Sequence, residues 1–281
     1  MLHAPLTTAS PLPAQPRAEG EAGAVMGARG LIGLRQQGSA KCFLPRTHAE
    51  ATAVFLNTAG GLTGGDRFRW RAEARDGARL TATTQAAERV YRAQPGETAQ
   101  VTARLRLGAG ARLDWLPQET ILFDGGALDR RLEIEMEEDA RLLAVEPLVL
   151  GRAAMGETVR DARFRDAWRL RRVDGAGRGR LVWADGLRLI GDAAEIAAAR
   201  ATFAGARAAA TLVYAAPDAG DRLEGLRARL PEGGAARGAA SAWDGLVCAR
   251  LLAEDGFALR RALVPALEFL RGGGLPRVWT M

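Results

Sequence analysis

The sequence predicts a mainly β fold, a β-helix or solenoid of stacked strands with C-terminal α-helices packed alongside. Three observations support this prediction. A short turn sequence recurs, Gly-Ala-Arg-Leu at 77–80 and 110–113 and Asp-Ala-Arg-Leu at 139–142, with a looser copy at 179–181. Apolar and polar residues alternate around each turn, as in strands with one buried face. Helical periodicity is confined to the C-terminal part of the chain.

Each turn joins two strand-like segments. One such unit cannot bury an apolar face alone, so the units must stack on one another. This requirement favours a solenoid and leaves a β-sandwich as the alternative. The predicted strands before the turns are 68–74, 101–107, 132–136 and 168–173, and those after them are 80–84, 113–116, 142–145 and 181–183.

The C-terminal part mixes strands and helices. Its last helix is amphipathic and is expected to end at Gly272, because three consecutive glycines lose too much backbone entropy to continue a helix. The predictions are strands at 208–215 and 246–252, helices at 218–230 and 255–271, a loop at 231–238, and either state at 195–200.

We expect residues 1–23, which are rich in Ala and Pro, to be a flexible N-terminal tail. Residues 24–281 are expected to form a single domain, with mostly β repeats at 24–190 and mixed strands and helices at 191–281. The chain has 281 residues and 48% hydrophobic content, which is ordinary for a soluble globular protein. We find no apolar run long enough for a membrane span and no signal peptide. A cytoplasmic protein is therefore expected.

The charged residues do not indicate a nucleic-acid binding protein. The formal net charge is +6, and Lys41 is the only lysine among 39 basic residues. The arginines are spread along the whole chain, so their number is better explained by compositional bias than by phosphate contacts. Cys42 and Cys248 form neither a disulfide framework nor a Cys-x-x-Cys metal motif, which fits a reducing compartment.

A glycine-rich decapeptide, Asn-Thr-Ala-Gly-Gly-Leu-Thr-Gly-Gly-Asp at 57–66, is the most distinctive local feature. A P-loop would need Lys and Ser or Thr after its last glycine, whereas Gly65 is followed by Asp66. A dinucleotide site would need a helix next, whereas 67–73 alternates like a strand. Gly60, Gly61, Gly64 and Gly65 instead permit close backbone packing, near an ion path or partner surface or simply between stacked turns. Either interpretation predicts that Gly61→Val damages the protein.

This decapeptide is the first of several segments that together resemble the urease accessory protein D family (UreD, also called UreH). The resemblance covers most of the chain, and the order of the segments along the sequence is more specific than any one segment alone. The other segments are Ala-Glu-Arg-Val-Tyr-Arg at 87–92, Trp-Leu-Pro-Gln-Glu-Thr-Ile-Leu-Phe-Asp-Gly at 115–125, Leu-Gly-Arg-Ala-Ala-Met-Gly-Glu at 150–157, Asp-Gly-Leu-Arg-Leu at 185–189 and Leu-Pro-Arg-Val-Trp at 275–279.

The resemblance implies a β-helix-like fold with C-terminal helices and a function without catalysis. Proteins of this family hold apo-urease together with accessory proteins F and G, of which G is a GTPase, so that nickel and a carbamylated lysine are installed. The family also implies a route for nickel through an internal passage. We therefore expect a hetero-oligomeric scaffold with no tightly bound cofactor and with nickel as transient cargo.

The metal-ligating residues predict a weak route and no tight nickel site. Imidazole and thiolate donors favour nickel, but the only histidines are His3 and His48. Carboxylates suit an ion that must leave again. We expect Glu88, Glu119, Glu146 and Asp185, each following a turn leucine, to stack in a column; the alternative is that each acid pairs with a nearby arginine. The candidate nickel-path carboxylates are Asp66, Glu88, Glu119, Asp124, Glu146, Glu157 and Asp185.

The last helix offers a candidate partner interface for a helical protein such as accessory protein F. Packing against its own domain is the competing expectation for such a face. Two other functions stay open on the residues alone, a carbohydrate-active enzyme with a carboxylate pair on a solenoid, and a general protein-interaction module. The residues of the predicted interface are Leu259, Leu263, Leu267, Leu270 and Trp279.

Overall fold

The computed structural model describes residues 16–45, 50–174 and 178–280. Within them the chain forms two β-sheets and three α-helices. The strands are β1 (Glu19–Gly27), β2 (Gly30–Gly38), β3 (Ala40–Phe43), β4 (Thr52–Asn57), β5 (Arg67–Ala74), β6 (Arg79–Thr84), β7 (Glu88–Val90), β8 (Ala99–Leu107), β9 (Arg112–Leu116), β10 (Thr120–Leu122), β11 (Gly126–Met136), β12 (Arg141–Leu150), β13 (Ala162–Val173), β14 (Gly179–Gly191), β15 (Ala208–Ala215), β16 (Ala236–Trp243) and β17 (Leu246–Ala253); the helices are α1 (Ala193–Ala198), α2 (Ala219–Arg227) and α3 (Gly256–Arg271).

The chain winds between the two sheets as a solenoid, which confirms the predicted fold class. The seven-stranded sheet has the order β14-β13-β11-β8-β5-β1-β2, and the ten-stranded sheet runs β16-β17-β15-β12-β9-β6-β4-β3 with β7 and β10 beside it. The strands β5, β8, β11 and β13 pair in parallel, as do β4, β6, β9 and β12. The three close copies of the predicted repeat, at 77–80, 110–113 and 139–142, therefore carry the chain from one sheet to the other.

The main core lies between the two sheets and is built from columns of residues that are partners in register. One column of the seven-stranded sheet contains Trp70, Ala103, Leu132 and Trp168. Trp115 faces it from the ten-stranded sheet and is 2% exposed. We call one full turn of the solenoid a coil. Large side chains on one coil thus pack beside small ones on the next, which fills the space between the sheets.

A second core lies on the outer face of the ten-stranded sheet, under α2 and α3. Leu143 and Val145 of β12 point to this face, while their neighbours Leu142 and Ala144 point into the main core. The helix α3 begins where the Asp255 side chain accepts a hydrogen bond from the Ala258 N–H. It ends at Gly272, whose φ of 69° is the left-handed conformation expected of a helix cap.

Several predicted boundaries change in the structure. The predicted tail 1–23 overlaps β1, whose small residues Ala22 and Ala24 are buried, so residues 19–23 belong to the sheet; residues 1–15 lie outside the described residues. The segment 181–183 belongs to β14, which turns back antiparallel to β13 and does not complete a further coil. The predicted loop 231–238 runs into β16, and 195–200 is helical through Ala198.

The glycine-rich segment packs against the next coil. The Leu62 N–H donates to the Arg89 carbonyl at 2.7 Å, and the Tyr91 N–H donates to the Leu62 carbonyl at 2.8 Å. Gly61 has a φ of 148°, and a Cβ there would lie 2.4 Å from Tyr91 Cε2 and 2.8 Å from the Arg89 oxygen. Gly60 has a φ of 80° with open space around its would-be Cβ. Close packing of solenoid coils therefore accounts for Gly61.

We predict that Gly61→Ala lowers the free energy of unfolding by about 3 kcal/mol, since it combines backbone strain with a steric clash. Gly60→Ala is the matched control and should cost about 1 kcal/mol, because it adds the conformational penalty alone. Urea unfolding of both variants measures the difference. Equal losses would contradict the assigned packing.

Candidate functional site

Three charged side chains lie inside the solenoid and form what we call the interior ionic cluster: Arg130, Glu146 and Asp166. Their exposed fractions are 6%, 8% and 9%. Arg130 and Asp166 are partners on adjacent strands of one sheet, and Glu146 reaches them from the other. Arg130 Nη1 lies 2.5 Å from Glu146 Oε2, and Arg130 Nη2 lies 2.6 Å from Asp166 Oδ2. The cluster therefore bridges the two sheets.

Indole groups complete the hydrogen bonding of both carboxylates. Trp115 Nε1 donates to Glu146 Oε1 at 2.8 Å, and Trp168 Nε1 donates to Asp166 Oδ2 at 3.3 Å. Burial raises the pKa of Glu146, and the attraction of Arg130 only partly offsets this. Burial acts to lower the pKa of Arg130, but the attraction of the two carboxylates outweighs this effect, so the pKa of Arg130 is raised overall. With both acids ionised, the cluster carries one excess negative charge, which favours a proton or a cation nearby.

The interior ionic cluster borders a cavity of about 390 Å³ between the two sheets. Asp185 of β14 and Arg250 of β17 also line it, and Asp185 Oδ1 lies 2.5 Å from Arg250 Nη2. The cavity has room for several water molecules. Its lining includes the exposed residues Arg188 and Thr202, which places its mouth at the surface.

Asp66 and Glu88 lie beside the glycine-rich segment. Asp66 is 3% exposed and accepts hydrogen bonds from the N–H groups of Ala18 and Thr63, both at 2.8 Å. Glu88 accepts from Asn57 Nδ2 at 3.2 Å. Burial raises the pKa of Glu88 to about 7, although the hydrogen bond from Asn57 lowers it. Asp66 therefore holds local backbone in place, while Glu88 titrates near neutral pH.

Asp124 and Glu157 form a separate group at a surface turn. The Asp161 backbone N–H donates to Asp124 at 2.9 Å and lowers its pKa, and Arg92 forms an ion pair with it. Glu157 lies 2.8 Å from Arg152 Nε, and this hydrogen bond lowers the pKa of Glu157. Both carboxylates hold loop backbone and arginines in place.

Glu119 also lies apart from the interior. Its neighbour Thr120 is the residue that pairs with Glu88, and Glu119 Oε2 is 3.4 Å from Arg260 of α3. Successive coils differ in length, so the predicted acids are not in register: Thr120, and not Glu119, stands opposite Glu88. The predicted column is therefore wrong as a whole: of Glu88, Glu119, Glu146 and Asp185, only Glu146 and Asp185 line one cavity.

The sequence interpretation missed Arg130 and Asp166, which complete the interior ionic cluster. A signal for both was present in the alternation. Arg130 stands two residues before the inward-facing Leu132, and Asp166 stands two before the inward-facing Trp168. Because side chains two residues apart on a strand lie on the same face, both charged side chains must point into the core.

The predicted partner interface on α3 is corrected by the structure. Its five side chains are 0–4% exposed and pack in the second core against the chain's own sheet. Trp279 Nε1 also donates to the Leu116 carbonyl at 2.9 Å. The chain's own sheet presents enough apolar surface to cover the helix, so no partner is needed there. The residues concerned are Leu259, Leu263, Leu267, Leu270 and Trp279.

The described residues contain no group of three or more His, Cys, Asp or Glu side chains that could hold a metal ion. Burial raises the pKa of the Cys42 thiol to about 12 and that of Cys248 to about 11, so neither supplies a thiolate at neutral pH. His3 and His48 lie outside the described residues.

The sequence model of the family described as "UreD urease accessory protein" matches residues 18–280. The chain belongs to the UreD family. Urease accessory protein UreD of Rhizobium rhizogenes is 48% identical over 280 residues, covering 98% of this chain and 99% of that protein. UreD of Methylobacterium sp. strain 4-46 is 49% identical over 282 residues, with 96% and 98% covered. UreD of Rhizobium leguminosarum bv. viciae is 51% identical over 250 residues, 88% of each chain.

Membership of the UreD family confirms the resemblance found in the sequence and gives the chain a role in urease maturation. The matched region contains both sheets, the interior ionic cluster and all three helices. Among the described residues, no helix has the length and apolar character that crossing a membrane requires.

We predict that Glu88→Gln stabilises this UreD chain at pH 8 but not near pH 4.5. Folding raises the pKa of Glu88 from 4.5 to about 7, so between these values the folded state keeps a proton that the unfolded state loses. The stability of the wild type therefore falls as pH rises through this window. The gain of Glu88→Gln should reach at most about 3 kcal/mol at pH 8.

Urea unfolding of wild type and variant at several pH values measures this gain. Glu133→Gln is the control, because the Glu133 side chain is 43% exposed and should give no comparable gain. A gain for Glu88→Gln that does not change with pH would contradict the assignment.

Proposed function

We propose that this chain is a non-catalytic scaffold of urease maturation, one that joins accessory proteins F and G to apo-urease in the cytoplasm and assists nickel insertion. The observation that carries the proposal is the UreD family match over residues 18–280. The solenoid supports it physically, since two cores on either side of one sheet give an extended rigid body. Such a body suits the holding of several proteins in fixed positions.

The cavity beside the interior ionic cluster is our candidate for part of an internal nickel route. It offers oxygen donors from Glu146, Asp166 and Asp185, which are the ligand type that holds a divalent cation in exchangeable fashion. Arg130 and Arg250 compete for these carboxylates. A route needs binding strong enough for entry and weak enough for exit, and this competition weakens binding. Nickel is therefore proposed as transient cargo with no tightly bound cofactor.

An enzymatic function is less well supported. A glycosidase needs two carboxyl groups facing each other across a substrate. Arg130 occupies the space between Glu146 and Asp166 and contacts both. The contacts within the interior ionic cluster therefore favour a scaffold over a carbohydrate-active enzyme.

We predict that deleting this chain abolishes urease activation. Urease, accessory proteins F and G and this chain are co-expressed with nickel, with and without the gene for this chain. The proposal requires urease to lose most of its nickel and activity on deletion, measured by metal analysis of purified urease, and to regain both on complementation. Full nickel content without the chain would contradict the proposed function.

A second prediction concerns the route. Glu146→Gln combined with Asp185→Asn should lower the nickel content of urease several-fold while the chain stays folded, because both changes keep side-chain shape and remove cavity charge. Glu119→Gln is the matched control outside the cavity and should leave nickel content unchanged. Wild-type nickel content in the double variant would exclude this cavity from the route. Both variants should co-purify with accessory proteins F and G in the wild-type amount. This measurement separates a defect in nickel transport from a defect in complex assembly.

A further inference from the structure

The outer face of the seven-stranded sheet carries a stripe of arginines. On β13, outward residues alternate with buried ones, and four of the six outward positions are arginine. Arg188 on the edge strand β14 extends the stripe, because it pairs directly with Arg165, and it also borders the mouth of the interior cavity. We call these five residues the arginine stripe: Arg163, Arg165, Arg169, Arg171 and Arg188.

The arginine stripe differs from the other arginines on the same face. On the neighbouring strands, Arg104 lies 2.8 Å from Glu133 and Arg106 lies 3.0 Å from Glu135. No stripe residue has an ion pair or a side-chain hydrogen bond with any of the described residues. The two acids on β13 and β14, Asp166 and Asp185, both face the interior cavity. The acids of the neighbouring strand β11 stand in register with stripe residues but form their ion pairs with arginines outside the stripe. The stripe is therefore a local excess of positive charge.

This arrangement destabilises the isolated chain. Like charges directly opposite each other on antiparallel strands repel, and Arg165 and Arg188 stand in that relation. Arg163 and Arg165 are about 7 Å apart along β13, as are Arg169 and Arg171, and both pairs are within the range of charge repulsion; Ala167 separates the two pairs. Compositional bias can explain why arginine replaces lysine. It does not explain why the β11 acids Glu133 and Glu135, which have arginine partners in register on both β8 and β13, form their ion pairs with the β8 arginines only.

We propose that the arginine stripe is a docking surface for an acidic surface of a partner protein. Its two ends carry exposed apolar side chains, Leu181 opposite Arg171 and Ile190 opposite Arg163, at 42% and 39% exposure. Arginine with apolar neighbours is typical of protein interfaces. Single-stranded nucleic acid would need outward aromatic side chains, and β13 has none. A flat sheet face also does not enter a duplex groove.

The first test uses poly-L-glutamate as the acidic probe and an oligothymidylate as the competing one. The stripe variant is Arg165→Gln, Arg169→Gln and Arg171→Gln together. The matched control, Arg104→Gln, Arg106→Gln and Arg131→Gln, removes the same charge from paired arginines on the same sheet face. At low salt the stripe variant should bind poly-L-glutamate about tenfold more weakly than wild type, with the control within about twofold.

Equal weakening in both variants would overturn the proposal, as would wild-type binding of oligothymidylate that exceeds binding of poly-L-glutamate. Urea unfolding checks the fold of both proteins. The stripe variant should be at least as stable as wild type, because it relieves repulsion, whereas the control loses ion pairs and gains nothing.

The second test rests on the proposed function and uses the native assembly. In the co-expression system, the stripe variant should co-purify with urease and accessory proteins F and G at a fraction of the wild-type amount, and the control at the wild-type amount. Wild-type recovery of the stripe variant would overturn the docking proposal while the scaffold function stands. If deleting the whole chain leaves urease activation intact, the proposed function fails, and the poly-L-glutamate result still decides whether the stripe binds acidic protein.

Discussion

Each coil of this protein can bury its apolar residues only by lying in register on the next coil, and the rest of the structure depends on that constraint. The column Trp70, Ala103, Leu132 and Trp168 shows how it is met, with large and small side chains on successive strands. A slip of one residue would turn a whole set of side chains to the opposite face. Gly61 belongs to the same constraint, since its missing Cβ is what lets one coil approach the next.

The same register places charge inside the protein. Phe68, Val101, Arg130 and Asp166 are consecutive partners on four strands, so one inward position changes from apolar to ionic along the solenoid. Burying three charges is costly unless each is paired and hydrogen-bonded. Arg130 contacts both acids, and two tryptophans donate hydrogen bonds to the carboxylates. These contacts offset the free-energy cost of burying the charges. The polar cavity therefore begins where the apolar column ends, beside the strands that close the solenoid.

The sequence predicted what depends on local pattern. The strand 208–215 and the helix 255–271 match β15 and α3 closely, because alternation and helical periodicity are properties of contiguous residues. Which residues of successive coils lie side by side was not predictable in the same way. Arg67 pairs with Gln100, which pairs with Asp129, so successive coils are unequal and acids at similar offsets did not align. The apolar stripe of α3 was visible, but whether its own sheet or a partner covers it depends on contacts distant in sequence.

The second core joins strands to a helix made much later in the chain. Leu143 and Val145 are buried in the same core as Leu259 and Leu263, which are synthesised more than a hundred residues later. At a ribosomal rate of about 5 to 20 residues per second, the outer face of the ten-stranded sheet stays bare for roughly 10 seconds after its central strands can form. During that interval the nascent chain exposes an apolar surface beside finished coils. Co-translational protection by a chaperone would matter most there, on the flank that is fully covered in the mature fold.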